Sequence, residues 1–403
     1  MKNHLLWILP ILFGGFLLAG CVKRTPQPLW VSKVSTMKEP IGSEEILRLP
    51  EGDQISFVQL LDDLQMARVI FVGESHDRVE HHQIQVKIIQ KLLEKGKDLA
   101  IAMEMFQKGQ QPVLDRWSQG LLSEEEFLKE VQWETTWGID YHLYKGVLDE
   151  IRNNRLKVLC LNVQRDLVRK VAQNGTEGLS PEEKKMLPEM DLTDQQHRAY
   201  IRSIYKTHQG GSAKDLENFY QAQCLWDEAM AETISEFLIS PEGKEKTILV
   251  FAGSGHVVFD FGIPRRFYRR APFPFRTVVL KEWKKNVDQD LTNTGTPLSI
   301  ANFLWVTRPQ PPEKERPRMG VVLKQREGQK GFWIERVIPK SPAEKAGLLP
   351  GDQMVAVEGI EIARVKDIHD ALSQKGWGKD FTVTILREGL KKEIMVTLPP
   401  FKE

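Results

Sequence analysis

The stretch "VIFVGESHD", residues 69 to 77, runs four apolar residues straight into Gly73, Glu74, Ser75, His76 and Asp77. A continuous apolar run of that length suits a strand covered on both faces. Its abrupt change to ionisable groups marks the strand's carboxyl end. The wider run "ARVIFVG" (67–73) has four counterparts: "DLAIAMEMF" (98–106), "LKVLCLNV" (156–163), "KTILVFAG" (246–253) and "FRTVVLK" (275–281). Between the first two lies "HHQIQVKIIQKLLEKG", where Ile84, Ile88, Leu92 and Leu93 share one helical stripe and Gly96 supplies a stop. Short apolar runs alternating with helical patterns predict an α/β fold over residues 46–285, with a mainly parallel sheet, helices on both faces and helical insertions at 107–155 and 176–240. In the first insertion, Ser123 with Glu126 three residues on has the form of a capping box.

The 403 residues are nearly balanced, 56 basic against 55 acidic, so no positive excess points to a nucleic-acid partner. Three cysteines make neither a disulfide framework nor a zinc pattern. Cys160 and Cys224 sit in apolar settings and read as buried small residues. Cys21 differs. It follows a basic start, an apolar run from Leu5 to Leu18, and Leu18-Ala19-Gly20, a layout that resembles the lipobox of bacterial lipoproteins. That resemblance implies a signal peptide at 1–20, a lipidated Cys21 as mature N-terminus, and a tether over 21–45 holding the chain to a membrane. The expected location is the bacterial envelope. Val22 gives no inner-membrane retention signal, so the outer membrane, facing the periplasm, is the expected side. The alternative is a single membrane anchor, for which the apolar run is short.

Residues 286–316, which run into "QPPEKERPR" (310–318), read as an extended linker. After it, residues 317–403 contain "GFWIERVIPKSPAEKAGLLPGDQMVAVEGIEI", which resembles the PDZ domains of bacterial envelope proteases. In that resemblance Ser341 caps a short helix beginning at Pro342, Gly347 ends it, and Met319, Gly320 and Val321 form the loop whose amides hold a peptide's C-terminal carboxylate. Such domains take a peptide or protein C-terminus as an added strand.

Open parallel sheets place ligands outside the carboxyl ends of their strands. Four such ends carry polar residues here: Glu74 and His76, then Glu104, then Asn162, then Gly253-Ser254-Gly255-His256. "GESH" and "GSGH" share the form Gly-x-x-His, about 180 residues apart. Each glycine lets the chain turn off its strand so that the histidine points back across the edge. His76, His256, Glu74 and Glu104 are therefore candidates for holding a divalent metal ion, or for catalysis with its bound water. There is no H-E-x-x-H or G-x-S-x-G, and "HDRVEHH" puts Glu80 and His81 one residue too far for the inverted zinc motif. His81 and His82 read as structural, with one of them facing solvent.

The set "FVGESHD", "AMEMF", "WETTWGIDYHLYKGVLDEIR", "LKVLCLNVQRDLVRKVAQNGTEGLSPEEKKMLP", "FYQAQCLWDEAMAETI" and "FAGSGHVVFDFGIPRR", spread in order over 57–280, resembles the ChaN-like haem-binding lipoproteins. These are relatives of the Tiki metalloproteases and the erythromycin-esterase-like enzymes. The resemblance implies haem as cofactor, a role in iron or haem uptake, a homodimer holding two haems face to face, and a tyrosine on iron. No motif carries that tyrosine over. Tyr141 and Tyr144, beside Trp133, Trp137 and His142, are the candidates for haem binding, though their bland role is to fill a core. Tyr200, Tyr205 and Tyr220 lie in the helical insertions and read as packing residues. The arginines of "PRRFYRRAPFPFR" (264–276) face propionates, lipid phosphate or only solvent. Two functions stand: a lipid-anchored haem binder whose PDZ domain recruits partners, and a metal-dependent hydrolase whose PDZ domain presents peptide substrates.

Overall fold

The computed structural model describes residues 45–208, 213–283, 299–308, 317–324, 331–362 and 365–400. The signal peptide, Cys21 and nearly all of the tether lie outside the described residues. The chain forms two compact units, residues 1–309 and 310–403.

The first unit is built on an eight-stranded sheet in the order β2-β1-β8-β7-β3-β6-β4-β5. Its strands are β1 (Glu45–Arg48), β2 (Asp53–Ile55), β3 (Val69–Glu74), β4 (Leu99–Gln107), β5 (Lys157–Asn162), β6 (Thr247–Gly253), β7 (Phe275–Glu282) and β8 (Phe303–Thr307). The six from β8 to β5 run parallel, while β1 and β2 add antiparallel at one edge. The five apolar runs became the five strands β3 to β7. Their continuity has a simple cause: side chains alternate between two covered faces. Ile70 and Val72 join one core with Ile84, Ile88 and Trp117, whereas Val69 and Phe71 join another with Met230, Phe261 and Phe267. Every residue of β3 is buried. Truncating a side chain such as Phe71 to Ala in such a setting costs about 3–5 kcal/mol.

The linker expected over 286–316 is corrected at its middle, since Phe303–Thr307 is a buried parallel strand. "FLWVT" has the β-branched and aromatic content of a strand, and the prolines that suggested a linker begin only after it.

Four helices position the site: α1 (Val79–Glu94), α2 (Tyr141–Asn153), α3 (Ala213–Ile239) and α4 (Ile263–Arg270). The Ser123–Glu126 capping box forms as expected. No helix among the described residues is long and apolar enough to cross a membrane.

The second unit is an antiparallel sheet in the order β14-β13-β11-β10-β9, with β12 paired to β11. Its strands are β9 (Val321–Lys324), β10 (Phe332–Val337), β11 (Gln353–Val357), β12 (Ile360–Glu361), β13 (Asp380–Arg387) and β14 (Leu390–Thr397). Ser341 caps the Pro342–Lys345 helix by accepting from the Glu344 amide. Gly320 has φ +88°, and a Cβ there would lie 2.3 Å from Ser341 Cβ, so no other residue fits that turn without movement.

Candidate functional site

The carboxyl ends of β3, β4 and β6 bring Glu74, His76, Glu104 and His256 together. Glu74 is the last residue of β3 and is buried. Its Oε1 accepts from the Tyr144 hydroxyl at 2.7 Å and from His76 Nδ1 at 2.9 Å, while Oε2 accepts from the Gln85 amide. Burial pushes the Glu74 carboxyl up, but the His76 hydrogen bond, the His82 and His76 charges and the Tyr144 hydroxyl outweigh it and hold it below the usual range.

His76 is the open member of the group, its side chain 29% exposed. Burial pulls its pKa down, but the hydrogen bond to Glu74 and the charges of Glu104 and Glu74 leave it raised. The edge-to-face contact with Trp137, with ring centres 4.9 Å apart, steadies the imidazole. With Nδ1 committed to Glu74, Nε2 remains for a ligand.

His256 follows β6 and is buried. Its Nδ1 donates to Asp227 Oδ1 at 2.6 Å, and its Nε2 lies 3.5 Å from Glu104 Oε1. Burial lowers its pKa, but Glu104 and Asp227 raise it to about 9. Glu104 also accepts the Gly253 amide at 2.6 Å. The glycines of the two Gly-x-x-His segments are needed for space. A Cβ on Gly253 would lie 2.9 Å from His76 Nε2 and 3.6 Å from Glu104 Oε2, and one on Gly73 would meet Ser254 Cα at 3.1 Å.

Several partners were not foreseen. Asp227 and Gln223 lie on α3, whose all-round apolar pattern hid a fully buried carboxylate. Gly262 is tied to the same place, because its Cβ would lie 2.9 Å from Asp227 Oδ1. Beneath Asp227, His197 Nε2 lies 3.7 Å from Asp227 Oδ2, and burial holds that imidazole down at about 4. The expectation for His81 and His82 is corrected, as both are buried. His81 accepts from the Ser75 amide at 2.9 Å and meets Thr307 at 3.2 Å; its pKa, lowered by burial to about 4, keeps it neutral for that role. His82 contacts the His76 carbonyl at 3.1 Å and lies 3.6 Å from Glu74. The sequence hint was their position three and four residues after Arg78, the start of α1, where one turn of helix faces back to the strand end.

Asn162 donates to the Glu104 carbonyl at 3.1 Å, and its Oδ1 is buried without a partner. Tyr144 is wholly buried within the Glu74 network, and Tyr141 is buried with an unpartnered hydroxyl. Burial raises both phenols above their ordinary range. Neither fits as a haem ligand, which would need an accessible phenolate. Of six tyrosines, only Tyr268 is exposed, at 51%, a residue passed over within "PRRFYRR". It packs edge-on against Phe275, the first residue of β7, at the opposite edge of the sheet. The neighbouring arginines are committed: Arg265 to Asp194, and Arg266, Arg269 and Arg270 to the buried Glu228.

Among the described residues no three His, Cys, Asp or Glu side chains are grouped to hold an ion. Both oxygens of Glu74 and Oε2 of Glu104 already accept from protein donors.

Residues 60–267 match the family described as "Haem-binding uptake, Tiki superfamily, ChaN", and residues 317–398 match the PDZ domain family. The fold is similar to that of Campylobacter jejuni ChaN, a structure described as showing cofacial heme binding, with a TM-score of 0.51, 20% identity, and coverage of 65% of this chain and 95% of that one. RETICULATA-RELATED 5, a chloroplastic protein of Arabidopsis thaliana, is 22% identical over 304 residues, 70% of this chain and 40% of the relative. A do/HhoA-like periplasmic serine protease of Haemophilus influenzae is 37% identical over 70 residues, 17% of this chain and 15% of the relative. The chain thus spans well under half the length of these curated relatives.

Proposed function

The chain belongs to the haem-binding uptake, Tiki superfamily, ChaN family, and from that premise we propose a lipid-anchored bacterial envelope protein that binds haem and recruits a protein partner through its PDZ domain. The observation that carries haem binding is the family match over residues 60–267. Within that span, two donors at the carboxyl edge fit an iron approached from the surface: His76 through Nε2 and the exposed His142. Trp137, half-buried against His76, supplies aromatic surface for a porphyrin. Bound haem supplies an iron centre that takes axial ligands. The protein's part is to fix His76 through Nδ1, held by Glu74 and beside the Tyr144 hydroxyl, which leaves Nε2 as the ring nitrogen free to bind. A homodimer with paired haems belongs to the same proposal, in keeping with the cofacial heme binding described for the Campylobacter neighbour.

The PDZ unit supports partner binding through its edge. Among the described residues, β9 has β10 as its one strand neighbour, leaving its outer edge for an added strand. The carbonyls of Met319 and Gly320 accept from Ala343 and Ile338, both at 2.8 Å, fixing the loop through Val321 that would meet a terminal carboxylate. The lipid anchor rests on Leu18-Ala19-Gly20-Cys21, and the lack of an inner-membrane retention signal at Val22 supports an outer-membrane location facing the periplasm. Globomycin treatment of cells making the protein tests it: an unprocessed precursor is expected, and normal processing would count against lipidation.

One observation favours a hydrolase as a second reading. His76 and His256 each have Nδ1 held by a carboxylate, and His256 Nε2 lies 3.5 Å from Glu104 Oε1, an arrangement that serves general acid–base chemistry. Metal content of purified protein separates the versions. Stoichiometric metal lost in a His76→Ala, His256→Ala variant supports a metal-dependent enzyme, and its absence with hydrolysis intact supports side-chain catalysis.

A further inference from the structure

A cavity of about 360 Å³ opens at the amino ends of β7 and β8, lined by Phe259, Asp260, Arg265, Tyr268, Phe275, Ser299, Ala301 and Asn302. Three observations single it out. One carboxylate oxygen of Asp260, Oδ1, is buried and has no hydrogen-bond partner. Such atoms are rare because an unpaired buried acceptor carries its full desolvation cost. Burial pushes the Asp260 carboxyl up to about 6, with Thr277 and Arg265 holding it back.

The backbone delivers that carboxylate at a cost of its own. Phe259 and Asp260 have φ of 57° and 58°, the left-handed region, which is costly for two successive residues with side chains. The amide of Phe259 donates to Ile300 at 2.8 Å and that of Asp260 to Val257 at 3.1 Å, so the conformation is held in place.

The remaining polar groups are engaged. Arg265 bonds Asp194 at 2.5 Å and lies 4.8 Å from the Phe261 ring centre. Ser299 donates to Ala301 at 2.7 Å, and Asn302 Oδ1 accepts from Thr277. Asp260 is left with an unpartnered carboxylate oxygen, beside a corner formed by the rings of Tyr268 and Phe275, 5.9 Å apart and inclined at 62°. One carboxylate with aromatic walls suits a cation of low hydration, which gains from ring faces as well as charge. Magnesium or calcium would instead require several oxygen ligands.

We propose that this cavity binds a small organic ammonium ion, its charge on Asp260 and its alkyl groups against Tyr268 and Phe275. The site lies at the other edge of the sheet from His76 and does not depend on the haem reading. Calorimetric titration of the chain from residue 22 with choline chloride and tetramethylammonium chloride, against sodium and magnesium chloride, tests it. Saturable binding of both ammonium ions is expected. Asp260→Asn and Tyr268→Ala should each weaken it by about tenfold, while Tyr268→Phe should keep it. Tyr268 is exposed, so its variants test the proposal even where the Asp260 variant folds poorly. The proposal is overturned if neither ammonium ion saturates, if magnesium binds as well, or if both Tyr268 variants bind like the parent chain.

Discussion

His76 and Gly253 are interdependent: the imidazole Nε2 occupies the space beside Gly253 Cα that any side chain would need, 2.9 Å from where a Cβ would stand. The second Gly-x-x-His segment therefore makes room for the histidine of the first. Gly253→Ala should push the ring off the edge and cost about 1–3 kcal/mol through overpacking. A lowered melting temperature together with weakened hemin binding is the expected result. A variant with unchanged affinity would show that His76 can move without consequence.

Asp227 should set the charge of His256. Because His256 is raised to about 9 in the fold, its contribution to stability is complete below the unfolded value near 6.5 and is lost as pH rises to 9. Denaturant titrations should show stability falling across pH 6.5–9. In Asp227→Asn that slope should flatten, and the His256 imidazole resonances should titrate at lower pH. An unchanged imidazole titration would refute the pairing.

Tyr144 serves Glu74 and not iron. Tyr144→Phe removes a buried hydrogen bond to a carboxylate and should cost about 2 kcal/mol. Hemin uptake at a temperature where the variant is folded should remain. Loss of the Soret band with folding intact would restore Tyr144 as a ligand.

The PDZ loop depends on Gly320, whose φ of +88° and closeness to Ser341 leave no room for a side chain. Gly320→Val should destabilise that unit by about 1–3 kcal/mol or more and abolish binding of C-terminal peptides. Hemin binding should be unaffected. Fluorescence anisotropy with labelled peptides, beside a hemin titration, reads both.

The sequence revealed the parallel strands because burial on two faces leaves unbroken apolar runs, and β3 to β7 match those runs within two residues at either end. It also revealed Glu74, His76, Glu104 and His256, because polar residues stand out where such a run stops. Asp227 stayed hidden: one carboxylate in a 27-residue helix has no periodicity to betray that it is buried. His81 and His82 misled for the opposite reason. Histidines near a helix start are usually solvated, and here the turn packs back on the strand end. Strand β8 was obscured by the proline-rich segment that follows it.

Hemin titration of the chain from residue 22, followed in the Soret region and repeated with His76→Ala, His142→Ala and Tyr268→Phe, tests the central claim most directly. The account predicts saturable, stoichiometric binding, a changed Soret band when His76 or His142 is lost, and no change with Tyr268→Phe. Binding no tighter than to the isolated PDZ unit would contradict haem binding, and a band altered only by Tyr268→Phe would contradict its placement at the carboxyl edge.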